Sequence, residues 1–266
     1  MTLEKQSPFE QVVAYAKTIR KAELNFNSAH IDRAENSYVA WVDLMGAGHA
    51  MSISTQKTAN FLARLHMAVD RSRRAINFDG KLLVVNDGVF IVANSKQSII
   101  SMLGRIFILL AANFIATPRP HDRFLLRGGV AYGPVYFGDQ IRGGVSPKSF
   151  RDKMTILDSV MFGPAIIQAY KVEALAPPYG VAVHESARSF CPENCSPFLL
   201  THWPWWAPNE QVGYPDSAPL TTMKDCLAVE LDDHFKWLGE TLIYHGLDQP
   251  KLAQWSSLCG QYFAIA

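Results

Sequence analysis

Two aspartates stand where chemistry could be done. Asp43 closes a β-branched and aromatic run, Ser37–Leu44 (SYVAWVDL), just ahead of a break at Met45-Gly46-Ala47-Gly48. Asp87 sits at the tip of a hairpin, in Asn86-Asp87-Gly88 between two apolar runs. In a β-α-β-β unit the first strand neighbours the hairpin, so both carboxylates would meet at one sheet edge. Two hard oxygen ligands beside a helix start suit a divalent cation next to a phosphate cradle. The backbone amides of Leu44, Met45, Gly46, Ala47 and Gly48 would face the phosphates, and the glycines permit close approach. The chemistry of such a site is two-metal phosphoryl transfer. Each acid also has a plain reading: an Asp in Asn-Asp-Gly is often just a turn residue, and Asp43 would serve equally as a strand-end carboxylate.

The elements that must position these acids follow from periodicity. Residues 8–25 carry Phe9, Val12, Val13 and Ala16 at helical spacing. Residues 37–44 read as a buried strand, and a helix is expected from about Met51 to Asn77, with Phe61, Leu62, Leu65, Val69 and Ile76 inward. Lys81–Val85 and Val89–Ala93 flank the Asp-Gly hairpin signal. A second helix spans about Gln97 to Ala116; Arg123–Ala131 and Gly133–Gly138 read as two strands, and Arg142 to Asp158 as a long loop. A helix opens at Pro164 and runs to Leu175, Pro177-Pro178 stops it, and Tyr179–His184 returns as a strand. The order is β-α-β-β-α-β, an α+β ferredoxin-like sheet with helices on one face. Residues 197–219 then hold five prolines and the tryptophans Trp203, Trp205 and Trp206. That segment reads as aromatic-anchored, either packed over the sheet or presented as an interaction surface. Two short helices, about Leu231–Tyr244 and Pro250–Phe263, end the chain.

Composition narrows the class further. The chain has 266 residues, 48% hydrophobic and 18% charged, with a net charge of +1. It is too apolar for a disordered protein, and no bulk field draws it to nucleic acid or anionic membrane. Four cysteines make no disulfide framework. Cys191 and Cys195, with only His184 and His202 nearby, are spaced more loosely than a usual zinc pair and read as ordinary thiols. The N-terminus lacks a secretory h-region. Ile99–Ala116 is lipid-like but carries Arg105, so a buried helix is expected rather than a span. The expected protein is soluble and cytoplasmic.

The series VAWVDLMGAG, LLVVNDGVFIV, RGGVAYGPVYFG and FGPAIIQAYKVEA, in that order, resembles the class III nucleotide cyclases over roughly residues 36–185. The resemblance implies a nucleotide cyclase domain there, which leaves the N-terminal helix at 1–30 and a C-terminal extension at 186–266, expected to pack on the domain, outside it. It implies two Mn²⁺ or Mg²⁺ ions held by Asp43 and Asp87 with the Leu44 backbone. It also implies a homodimer with active sites at the interface. The family's ribose-orienting Asn falls on Ile167 and its transition-state Arg on Lys171, which keeps charge but loses the planar fork. Its purine-reading Lys and Asp fall on Leu83 and Val160. With the purine set missing, the chain is similar to the pyrimidine cyclases of the bacterial anti-phage system called Pycsar.

The expected reaction is cyclisation of UTP to the 3′,5′-cyclic monophosphate and pyrophosphate, the product acting on a separate effector. Cyclisation of CTP, a purine cyclase, and a degenerate domain that only binds nucleotide or a partner are the alternatives. Lys171 and Gln168 are candidates for reaching phosphate or ribose, against the plain reading of a solvated helix face. Arg127 is a candidate phosphate contact or a structural ion pair. Tyr38 and Trp41 are candidates for bracketing the base, or core aromatics.

Overall fold

The computed structural model describes residues 7–22, 25–146, 155–207 and 219–265. Pro208 and Pro215, and the centre of the expected 142–158 loop, lie outside them. The chain forms two compact units, residues 36–133 with 164–266, and residues 1–35 with 134–163.

In the larger unit the central strand is β1 (Glu35–Leu44). Its residues Ser37 to Val42 are buried without alternation, because both faces are covered. Tyr38, Ala40, Val42 and Leu44 join the main core; Val39, Trp41 and Asp43 point the other way, as alternation along a strand requires. The hairpin is β2 (Lys81–Val85) and β3 (Gly88–Ala93), with β3 antiparallel to β1 in the register Trp41↔Phe90 and Asp43↔Gly88. Asn86 takes a left-handed φ of 49° to close the two-residue turn. Gly88 lies inside the strand, where an added Cβ would stand 2.3 Å from the Trp41 ring. It is a glycine because the indole covers it.

Arg123–Ala131 and Gly133–Gly138 form one strand rather than two, β4 (Leu126–Phe137). Gly133, at φ +156°, carries the chain through the point where Gly-Pro reads as a break. Met45 N–H donates to the Leu125 carbonyl (2.9 Å), and the Trp41 carbonyl lies against Gly128, so β4 runs antiparallel beside β1. The sheet order is β2-β3-β1-β4, and a short β5 (Val181–Val183) pairs parallel with β4. This is the expected α+β ferredoxin-like arrangement.

The expected 51–77 helix is two, α1 (Ala47–Ile53) and α2 (Thr55–Ala75). Gly46 starts the first at φ 76°, and Ser54 caps the second through the Lys57 N–H (3.3 Å). The residues read as a Gly break are therefore helix start. Helix α3 (Lys96–Ala116) is the one described helix long and apolar enough to cross a membrane. Most of its apolar window is buried inside the protein, and an all-round apolar helix is what a core position asks for. Its Phe107 packs beneath Gly128 of β4. Helix α4 (Pro164–Glu173) covers the other face, so the helices lie on both faces of the sheet and not on the one expected, and its backbone comes within 2.4–2.6 Å of where a Cβ on Gly129 would sit.

The C-terminal part starts earlier than its pattern suggests. Helix α5 (Leu220–Glu240) begins eleven residues before the expected Leu231, since its first turns bury only Leu220 and Leu227. Helix α6 (Gln249–Phe263) packs against it. Trp203, Trp205 and Trp206 are 2%, 0% and 4% exposed, and Trp205 Nε1 donates to the Tyr179 carbonyl (2.9 Å). They are core, which overturns the reading of these tryptophans as a presented interaction surface.

The smaller unit holds a helix at Pro8–Ala22, an antiparallel pairing of Asn25–Phe26 with Val145–Ser146, and a short helix at Gly138–Arg142. Tyr136 and Phe137 pair with Met161 and Phe162, and Arg142 pairs with Asp158. The segment expected as loop is thus partly regular.

Candidate active site

Asp43 and Asp87 meet at one sheet edge. The Asp43↔Gly88 register places Asp87 one residue beyond Asp43's own partner, and the Leu44 N–H donates to the Asp87 carbonyl (3.4 Å). Both carboxylates are half-buried. Burial pushes the Asp43 carboxyl up to about 7, with Asp87 and then Glu173 adding to it; Arg127 and the Leu44 N–H pull the other way. Glu173, at the end of α4, is the acid that sequence reasoning missed. Its carboxyl is 6% exposed and paired with the Arg127 Nε, whose guanidinium also donates to the Ala174 carbonyl (3.2 Å). No spacing signal joins Arg127 to Glu173, because the pair forms across the sheet–helix contact. Arg127 is thus the structural ion pair of its two readings.

Three carboxylates against one guanidinium leave this edge with a formal excess of negative charge in a partly desolvated place. That is a setting in which a cation would be favoured. Among the described residues no group of three or more His, Cys, Asp and Glu side chains gathers as a metal-binding cluster. The donor set is two aspartates, with Glu173 already engaged by Arg127. Mg²⁺-like ions are commonly held in this way, by one or two carboxylates completed by substrate phosphates and water. The residues fit a divalent cation on that basis.

The remaining candidates divide. Of the five backbone amides, Leu44 and Met45 donate to Asp87 and Leu125 and are not free for phosphate, a correction to the cradle expected at 44–48. Gly46 and Gly48 are exposed, with nothing within 4 Å of an added Cβ. Trp41 shares the Asp43 face, 4.3 Å from the Phe90 ring and 5.9 Å from Tyr170, and its buried Nε1 has no hydrogen-bond partner among the described residues. Tyr38 does not belong to the site. It is fully buried on the opposite face against Tyr132 and Phe198. On α4 the buried stripe is Ala165, Ala169, Val172 and Glu173; Gln168 is half-buried, and Ile167, Tyr170 and Lys171 are exposed. Ile166 is half-buried beside that stripe.

No protein-family model matches the chain, and no curated protein matches it. Among solved structures, it is similar to the monomeric guanylyl cyclase domain of the RhoGC fusion protein from the aquatic fungus Blastocladiella emersonii. That likeness has 13% identity and a TM-score of 0.44, covering 59% of this chain and 85% of the other. A bacterial light-regulated adenylyl cyclase shows 13% identity and a TM-score of 0.42, over 63% of this chain and 50% of its own. An adenylate/guanylate cyclase/hydrolase from Silicibacter pomeroyi shows 16% identity and a TM-score of 0.41, over 57% and 76%.

Proposed function

We propose that this protein is a divalent-cation-dependent nucleotidyl cyclase that converts a pyrimidine triphosphate, UTP in preference to CTP, to its 3′,5′-cyclic monophosphate and pyrophosphate. The observation that carries the reading is the convergence of Asp43 and Asp87 at one edge of a ferredoxin-like sheet, with Asp43 held near 7 by burial and like charge. A strand-end carboxylate with only a structural role has no need of a second and a third acid beside it.

Asp43 and Asp87 would hold two Mn²⁺ or Mg²⁺ ions, with the Leu44 backbone as a further oxygen contact. When bound, these ions supply charge neutralisation on the triphosphate and acidify the ribose 3′-hydroxyl. The amides of Gly46, Ala47 and Gly48 approach the phosphates, since no side chain stands before either glycine. Arg127 holds Glu173 in place and so keeps its charge beside Asp43. Lys171 and Gln168 serve a phosphate or ribose from the outer side of α4.

Support for a pyrimidine comes from the cross-strand row Trp41, Phe90 and Leu83, directly opposite one another on the Asp43 face. Leu83 stands where the resemblance would place a purine-reading Lys. Two rings and an aliphatic chain on that face favour a smaller base over a purine, and the buried Trp41 Nε1, without a hydrogen-bond partner among the described residues, is a donor such a base or its ribose can satisfy. The homodimer is supported by Ile167, Tyr170, Leu175, Val84 and Val85, large apolar side chains 37–64% exposed on α4, the residues after it and the edge strand β2. A role as an anti-phage signal source acting on a separate effector follows from the resemblance to the Pycsar enzymes.

The test is Asp43→Asn, which keeps the shape and removes the charge. Cyclisation is expected to fall below detection while the circular dichroism spectrum is unchanged. Retained turnover in that variant would overturn the reading.

A further inference from the structure

The larger unit also holds a cavity of about 250 Å³, walled on one side by the segment that follows Asp43 and on the other by α5 and α6. Phe61, Phe124 and Trp255 make it apolar, whereas its ionisable lining groups are Lys57, Arg123 and four histidines; no Asp or Glu is among the described lining residues. Arg123 is spoken for, by Glu230 (2.7 Å) and the Thr117 carbonyl (2.7 Å). His121 has Asp122 at 3.6 Å. Lys57 is different. It is half-buried, its ammonium 5.6 Å above the Phe61 ring and in the field of Asp122, and that ammonium makes no hydrogen bond or ion pair with any described residue.

His234 is 3% exposed between Phe114 and Trp237, and its Nδ1 has no hydrogen-bond partner among the described residues. Burial, then Arg123, His245 and Lys57, push this imidazole down to about 3. His245 lies 4.9 Å from the Trp237 ring and is pushed down by burial, Lys57 and His49. Near neutral pH both imidazoles are therefore uncharged in an apolar hollow, and the Lys57 ammonium is the lining cation there with no ion pair to a described acid. An anion would pair with that ammonium, and a flat apolar body would suit the aromatic walls.

We propose that this cavity is a binding site for a compact aromatic carboxylate, its ring against Trp237 and Phe61 and its carboxylate on Lys57. Occupancy would act on the Asp43 edge through Leu44, Met45, Gly46 and Ala47, which line the cavity and continue directly from Asp43. Binding is independent of the cyclase reading, on which only the effect on turnover rests.

Isothermal titration of the full chain, without nucleotide, with indole-3-acetate and its neutral isostere indole-3-acetamide tests the site. One saturable site is expected, at least tenfold tighter for the acetate. Lys57→Ala should erase that difference, and Ala50→Phe, which fills the cavity from α1, should block both ligands with an unchanged circular dichroism spectrum. No saturable acetate binding, equal affinity for the two probes, or an unchanged acetate affinity in Lys57→Ala would overturn the proposal. A chain that cyclises no nucleotide would still report binding. In a chain that does, turnover unaffected by saturating indole-3-acetate would overturn the link to the Asp43 edge.

Discussion

Asp43 trades stability for charge. Its folded pKa of about 7 lies above the ordinary 3.8, so its contribution to stability is fully present below pH 3.8 and is lost as pH rises through 7. Asp43→Asn removes that loss. In the cation-free protein the variant is expected to melt above the parent at pH 8 and to lose its advantage toward pH 4, read by scanning calorimetry at the two pH values; equal melting at pH 8 would show that the like charge costs nothing. His234 runs the opposite way. Its folded pKa is depressed to about 3 from 6.5, so its stabilising contribution is present above 6.5 and is lost as pH falls toward 3. His234→Phe keeps a ring between Phe114 and Trp237 and should flatten the acid limb of the stability curve over that window. Both aspartates of the candidate site were legible in the sequence, because each stands at a turn that the pattern marks. Glu173 was not: its relation to Asp43 exists only once α4 lies on the sheet.

Helix α4 lies on the sheet by way of glycine. A Cβ on Gly129 would meet the Ala169 carbonyl at 2.4 Å and the Glu173 nitrogen at 2.6 Å, both backbone atoms that no rotamer change can move aside. Gly129→Ala is therefore expected to cost about 1–3 kcal/mol, as overpacking does, and to lower turnover by displacing Glu173 and Arg127; a denaturation midpoint equal to the parent's would contradict this packing. Elements with a strong local signature were readable in advance. The β2–β3 hairpin has its turn chemistry in Asn86-Asp87-Gly88, and α3 is apolar on nearly every side from Ile99 onward, Arg105 apart. Elements were misread where local chemistry and context disagree. Gly133-Pro134 looks like a stop, yet a positive-φ glycine carries the strand through. The first turns of α5 expose most of their side chains and so show no apolar stripe, and Ser54 divides one helical pattern by capping the second half.

At the scale of the whole molecule, the reading of a two-subunit site depends on the apolar side chains left exposed on α4 and β2. Tyr170→Glu, at a position 58% exposed, should leave the fold intact and shift the protein from dimer to monomer in light-scattering chromatography, with loss of turnover. A parent protein that is already monomeric while active would refute the shared site. The unit of 36–133 with 164–266 has one main core that takes in the sheet, α2, α3, the three buried tryptophans and the last two helices. The α+β order was legible from the strand and helix alternation; the depth to which Trp203, Trp205 and Trp206 insert was not, because proline-flanked aromatics read alike whether docked or presented. The most direct test of the central claim is incubation of the protein with ATP, GTP, CTP and UTP in Mn²⁺, with products identified by mass spectrometry. Cyclic UMP with pyrophosphate is expected, and none from Asp43→Asn. Cyclic AMP or GMP as the main product would contradict the base assignment, and no cyclic product from any of the four would contradict the activity itself.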